Sequence, residues 1–270
     1  MVEITEKYKI GVRRFGLINW PGAWTLYKKE VLRFLIVWIQ TIFSTLISSL
    51  LFLLVLSLAI GDDRGSVLGV SFISFLAPGL IAMQIIQQSF SHSSSSFMIG
   101  KIQGNIVDIL YAPLSAAEIT VATTLAAVTR SVMIAIISII IFYFLVDLEI
   151  KNYSTLIIFT FLSSFALGAL GVIAGLWAEK FDHMATVTNF IVTHLSFLSG
   201  TFYSIERLPE FLQTISKLNP FFYIIDGFRY SFLETSDGSI FIGAVYLFIL
   251  CILLGLLAYL LLKKGYKLKS

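Results

Sequence analysis

Ionisable residues are what this sequence has least of. Asp, Glu, Lys and Arg together make up 13% of it, against 57% hydrophobic residues, and the mean hydropathy is +0.91. That leaves too little polar surface to coat a soluble globule of 270 residues. Cysteine occurs once, at Cys251 inside the last apolar run, so an internal disulfide is excluded and a small packing role is expected. Three scattered histidines form no cluster, and no metal site is expected. A nucleotide-cradling loop is missing as well. The only Gly-Lys pair, Gly100-Lys101, is followed by Ile102 and lacks the earlier glycine that a phosphate loop needs. The chain is therefore expected to carry no cofactor and to hydrolyse no ATP by itself. A formal net charge of only +3 gives no sign of nucleic-acid binding. No secretory signal is read in the first 33 residues, which hold no apolar core of the required kind.

What the sequence does have is long apolar runs. A helix crossing the hydrocarbon core takes about 20 mostly apolar residues, and six stretches qualify: roughly 35–60, 71–93, 118–146, 154–178, 185–204 and 240–262. The segments between them are too short for a second folded domain. The expected fold is an all-α integral membrane protein. Residues 1–34 form an N-terminal region with an interfacial helix, 35–262 a six-helix domain, and 263–270 a basic tail. Membrane lipid is a partner by composition alone. Basic residues near short loops are retained on the cytoplasmic side. Lys7, Lys9, Arg13, Arg14, Lys28, Lys29 and Arg33 crowd one end of the chain and Lys263, Lys264, Lys267 and Lys269 the other. The alternate loops, GDDRG at 61–65, DLEIKN at 147–152 and the segment 204–239, hold far less base. Both termini are therefore expected to be cytoplasmic.

Between the second and third apolar runs lies GNIVDILYAPLS, residues 104–115, too short and polar to cross a bilayer yet greasier than a plain connection requires. Asn105 is placed to cap a short helix through Ile106, Val107, Asp108, Ile109, Leu110 and Tyr111, which Ala112 and Pro113 end. Spacing alone leaves two readings open, a turn dipping into the headgroups or a docking knob for a cytoplasmic partner. The stretch WPGAWTLYKKEVLR, residues 20–33, suits a helix lying in the interface with Lys28, Lys29, Glu30 and Arg33 toward water.

On the outer side, Leu208, Phe211, Leu212, Ile215 and Leu218 recur at helical spacing while Glu206, Arg207, Glu210, Gln213 and Lys217 face away, after a Leu208-Pro209 start. Asn219 should cap a further helix with Pro220 at its first position. Asp226 and Arg229 stand three apart on it, close enough to pair.

Two apolar runs carry polar stripes. Gln84, Gln87, Gln88, Ser91 and Ser95 fall at steps of three and four, above which Pro78-Gly79 marks a kink. Thr186, Asn189, Thr193 and Ser196 do the same further on. Such faces should point inward or at another protomer, either lining a path or hydrogen-bonding helices together. Arg130 lies inside an apolar run without an obvious acid, Glu118 being three turns back, and is expected at a water-accessible interior position. The run SHSSSS, 91–96, ends the second span near the cytoplasm. Gly171 and Gly175, with Gly168 on nearly the same face, suggest tight helix packing, and His194 suits a packing role. A serine hydrolase built on Ser199 and His194 is disfavoured, because the two lie five apart on one span and out of line.

GKIQGNIVDILYAPLSAAEI resembles the cytoplasmic loop of type-2 ABC transporter permeases, and FLSGTFYSIERLPEFLQTISKLNPFFYIIDGFRYSFLE, residues 197–234, resembles that family's outer region with its Leu-Pro, Asn-Pro and Gly-Phe-Arg. The resemblance implies half of a membrane pore in the bacterial inner membrane, working as a dimer with two ATPase subunits that bind ATP and Mg. Residues 104–112 are then similar to the coupling helix seated on the ATPase, the helix at 20–33 to the connecting helix, and 205–234 to short re-entrant helices. Gln84, Gln87, Gln88, Ser91, Asn189, Thr193 and Ser196 would frame a translocation path or dimer interface. The implied activity is export of an amphipathic, lipid-like or drug-like substrate. The alternative is an ion-coupled secondary transporter or channel without an ATPase. Against it stand the missing internal repeat and the lack of acidic residues in the spans.

Overall fold

The computed structural model describes residues 16–60 and 66–268. Lys7, Lys9, Arg13, Arg14, the loop 61–65 and Lys269 lie outside the described residues. Helix α1 (Trp20–Ile36) starts where the Asn19 side chain accepts the Gly22 N–H, with Pro21 in the first turn. A π-helical turn, Ile39–Phe43, leads into α2 (Ser44–Ile60). A minimal hairpin of β1 (Ser66–Val67) and β2 (Val70–Ser71) turns at Leu68 and Gly69, both at positive φ. Ser71 then caps α3 (Phe72–Ile102), which carries Pro78 inside it. After the short α4 (Ile106–Tyr111) comes α5 (Ala116–Val146), opened by a reciprocal Ser115–Glu118 capping box. Helix α6 (Tyr153–Trp177) is capped by Asn152.

By length and composition, five helices among the described residues are long and apolar enough to cross a membrane: Ile39–Ala59, α3, α5, α6 and α11 (Ile240–Lys263). The stretch expected as another crossing at 185–204 is helical only from Phe181 to Phe197, as α7 (Phe181–Thr186), a π-helical segment Val187–Thr193 and α8 (His194–Phe197). At 1.5 Å per residue that is ~25 Å, at the short end of what crosses a bilayer. A 3₁₀ turn at Ile205–Arg207, α9 (Glu210–Leu218) and α10 (Pro220–Leu233) complete the chain order before α11.

Helix α3 is the centre of the bundle, buried between α5, α6 and α10, with Phe75, Ile81, Ile85, Ile86 and Phe90 fully enclosed. Side-chain size explains how α6 reaches it. A Cβ on Gly171 would stand 2.5 Å from the Phe90 carbonyl oxygen, and one on Gly175 2.8 Å from that of Ser94, so only glycine admits this approach. Ser93 and Ser94 are buried in the same seam, which makes that part of the serine run a packing surface. Gly168 does not share that face: it meets Thr124 and Ala127 of α5. Cys251 is a buried packing residue whose thiol reaches the Leu162 carbonyl at 3.1 Å.

Both described ends of the chain meet at one end of the bundle. Leu26 of α1, Ile106 of α4 and Leu262 and Leu268 of the C-terminal segment share one apolar cluster with Phe97, Ile119 and Leu176. Lys101, the residue of the degenerate Gly-Lys pair, donates to the Leu176 and Ala178 carbonyls and so ties the end of α3 to the end of α6.

Candidate functional site

The short helix after α3 has the bounds its sequence suggested, but it is held differently. Asn105 gives no side-chain cap and instead donates to Gln103 at 3.1 Å. Ile106 is buried, so it anchors the helix to the bundle, while Ile109 is half-buried. Val107, Leu110 and Tyr111 are exposed, Tyr111 by 86%, with Asp108 beside them and Pro113 exposed just after. An apolar surface is thus turned away from the core on a helix that Ile106, with the half-buried Ile109, anchors to it.

The platform beneath is rigidly bonded. Glu118 accepts the backbone N–H groups of Ser115 and Asn19, and the Asn19 amide donates to the Pro113 carbonyl at 2.9 Å. One carboxylate and one amide therefore lock the start of α1 to the loop that carries α4. Between them runs a groove of about 530 Å³ bordered by Pro21, Thr25, Lys29, Asp108, Ile109 and Pro113.

A second feature lies along α3. Gln84, Gln87, Gln88, Ser91 and Ser95 line a cleft of about 790 Å³ whose other walls come from α1, α2, Arg130 of α5, and Phe202. Gln84 donates to the Thr45 carbonyl at 3.1 Å and accepts from Ser138 at 3.3 Å. Gln88 donates to the Thr45 hydroxyl at 2.8 Å and accepts from Arg130. These two glutamines hold helices together, while Gln87 and Ser91 remain half-exposed on the wall. Thr186, Asn189, Thr193 and Ser196 are not brought to this cleft. The π-helical segment replaces i→i−4 steps by i→i−5, seen in the Thr193 hydroxyl reaching the Thr188 carbonyl. The stripe counted at α-helical steps is thereby split: Asn189 is exposed, whereas Ser196 is buried and bonded to the Val192 carbonyl. His194 is exposed and stacks on Phe190.

Residues 22–233 match the ABC-2 type transporter family. This chain belongs to that family. It is the transmembrane subunit of an ABC transporter. It is also 31% identical over 253 residues to the inner membrane transport permease YadH of Escherichia coli K12, covering 94% of this chain and 99% of that protein. Nodulation protein J of Neorhizobium galegae is 24% identical over 241 residues, covering 87% of this chain and 89% of that one.

The remaining expectations can be placed on this ABC-2 permease residue by residue. Leu208 and Pro209 lead into α9, whose Phe211, Leu212, Ile215 and Leu218 form an exposed apolar face. Asn219 caps α10 through the Phe221 N–H at 3.1 Å, and Pro220 is its first residue. Asp226 and Arg229 do not pair. Asp226 accepts the backbone N–H groups of Asp237 at 2.8 Å and Gly238 at 3.0 Å. Arg229 lies 3.8 Å above the Phe75 ring and donates to the Gly200 carbonyl at 2.8 Å. The two side chains turn to different loops, Arg229 leaving its Nε without an acceptor, and a Cβ on Gly79 would collide with the Thr201 carbonyl oxygen at 2.7 Å. Gly79 thus makes room for the outer loop.

Glu30 was expected to face water, yet it is 2% exposed. It accepts from Ser96 at 2.8 Å and pairs with Arg33 at 3.0 Å, 3.7 Å from His92. Arg33 donates onward to the His92 carbonyl at 2.9 Å. This polar knot ties α1 to the serine run of α3. The signal was in the sequence: Leu26, Glu30 and Phe34 fall at steps of four, so Glu30 shares the face of two apolar residues.

Proposed function

We propose that this chain is the permease half of an ATP-driven exporter in a bacterial inner membrane, with both termini cytoplasmic, that works as a dimer and moves an amphipathic, lipid-like or drug-like substrate outward. ATP and Mg are bound by a separate ATPase subunit, which seats on α4. Family membership supports the ABC partnership, and the likeness to YadH, an inner membrane transport permease, supports the membrane. The observation that carries the docking reading is the outward trio Val107, Leu110 and Tyr111 on a helix anchored by Ile106. Burial of such a trio against a partner is favourable at roughly 25 cal/mol per Å² of apolar surface. The bonded platform of Asn19, Pro113 and Glu118 would pass a push on α4 directly to α1 and α5.

The test is capture of the P-loop ATPase that co-purifies from native membrane in mild detergent. Val107→Asp with Leu110→Asp should abolish capture while insertion and thermal stability stay unchanged, because neither side chain is in the core. Retention of the ATPase by this double variant sinks the docking assignment. Absence of any ATPase from the wild-type pull-down sinks the exporter reading.

A further inference from the structure

The cleft along α3 has an electrostatic imbalance. Two guanidiniums, Arg33 and Arg130, border it and no acid does. Arg33 is neutralised from behind by Glu30. Arg130 has no such partner: it is 7% exposed, donates only to the neutral Gln88 and has no acceptor at Nε. No acid lies within ion-pair reach of it among the described residues. An uncompensated cation within a membrane helix is costly, and a guanidinium has five donors to satisfy. Planar donors of this kind match the oxygens of a phosphate or carboxylate.

The cleft walls are not uniformly polar. Phe34, Val37, Phe52, Leu80, Met83 and Phe202 also line it. Sharing Val37, Gln40, Ser44 and Ser48 with it is a second hollow of about 560 Å³, otherwise bounded by Ile36, Ile39, Phe43 and Ile47. The cleft beside Arg130 therefore runs on, past Gln40, Ser44 and Ser48, into a hollow with an apolar side around the first turns of α2.

We propose that this double cleft binds an amphiphile with an anionic head, phosphate or carboxylate, held by Arg130, while its apolar chain lies along the hollow beside α2. This names the substrate class of the exporter reading and rests on it for the word substrate, but binding itself needs no ATPase.

The experiment is calorimetric titration of the full chain, purified in a neutral maltoside detergent, with decyl phosphate, decyl phosphocholine and inorganic phosphate. Decyl phosphate should bind at least several-fold tighter than the zwitterion and than inorganic phosphate. Arg130→Gln should weaken it by about tenfold, the loss of one charged hydrogen-bonding partner, and Arg130→Lys should restore part of that. If Arg130→Gln fails to fold, the partial weakening by Arg130→Lys and the fall of wild-type decyl phosphate affinity with rising salt give the readout, and a salt-independent affinity overturns the proposal. Equal binding of decyl phosphate and decyl phosphocholine overturns the proposal, as does an Arg130→Gln affinity within twofold of wild type. Inorganic phosphate binding as tightly as decyl phosphate overturns the amphiphile in favour of a free anion. Dissociation of a dimer by Arg130→Gln, seen by size, overturns it in favour of an acid from a second copy. Loss of ATPase capture with decyl phosphate binding intact would remove the exporter reading and leave the site standing; the reverse pattern would remove only the site.

Discussion

Helix α3 has two polar faces with opposite fates. The face with Ser89, Ser93 and Ser94 is sealed against α5 and the glycines of α6. The face with Gln84, Gln87, Gln88, Ser91 and Ser95 borders an open cleft whose far wall is α2. Seen from the neighbours, 72% of the most apolar window of α3 is buried and only 22% of that around α2. Polarity in a span therefore does not by itself mark a path. What decides is the size of the facing residues: glycine closes the gap to backbone contact, whereas glutamine and arginine stand the next helix off and leave room.

The contrast is broken most violently at the seam. Gly171→Val should destabilise the fold by about 3 kcal/mol, because even a Cβ meets the Phe90 carbonyl at 2.5 Å. Gln87→Val on the cleft wall should stay within ~0.5 kcal/mol; unfolding by denaturing detergent compares them, and equal costs would refute the distinction. Next in size is Glu30→Ala, expected to cost ~1–3 kcal/mol, reduced by the third of Arg33 that remains exposed to water. Glu30→Gln, which keeps an acceptor for Ser96, should recover part of it in the same assay. Gln88→Leu removes the bonds to Thr45 and Arg130 and should cost on the order of 1 kcal/mol; faster amide exchange confined to α2 would show that the glutamine spans the cleft rather than stabilising α3.

The smallest effect lies outside both faces, where Lys267 of the C-terminal segment meets Glu179 at 2.6 Å. The hydrogen bond from Lys267 holds the Glu179 carboxyl below its ordinary value of 4.5, and the same bond raises Lys267 above 10.5. A lowered carboxyl contributes stability above its unfolded value that is lost as pH falls through the folded one. A raised ammonium contributes below its unfolded value and loses it as pH rises. The contact should therefore be constant between about pH 5 and 10 and loosen outside that range, and proteolysis of the C-terminal segment reads this out. Both groups are exposed, so the effect is slight.

Much of the fold was legible because membrane helices announce themselves by length and composition: α3, α5, α6 and α11 lie close to their expected places, and α4 and the Asn219-Pro220 start of α10 are placed to the residue. The apolar and polar residues of 104–115 were all singled out, but not their direction. That Ile106 points in while Leu110 points out depends on Phe97 and Leu26, remote in sequence. Counting at 3.6 residues per turn misjudged Thr186 to Ser196 because a π-helical segment changes the period, and no simple residue pattern signals it. Asp226 and Arg229 were expected to pair because spacing knows only local partners; two distant loops offered backbone groups with better geometry.

The sequence alone, then, determined that this chain lives in a membrane, where its helices begin and which short stretch presents apolar surface between them. These follow from hydropathy and capping, both local properties. Only the tertiary structure decided that Glu30 is buried, that the serines pack against glycine, and that Arg130 faces a cleft without an acid. Those outcomes depend on which side chains meet across helices far apart in sequence, and the free energy of a buried polar group is set by that meeting rather than by its own neighbours in the chain.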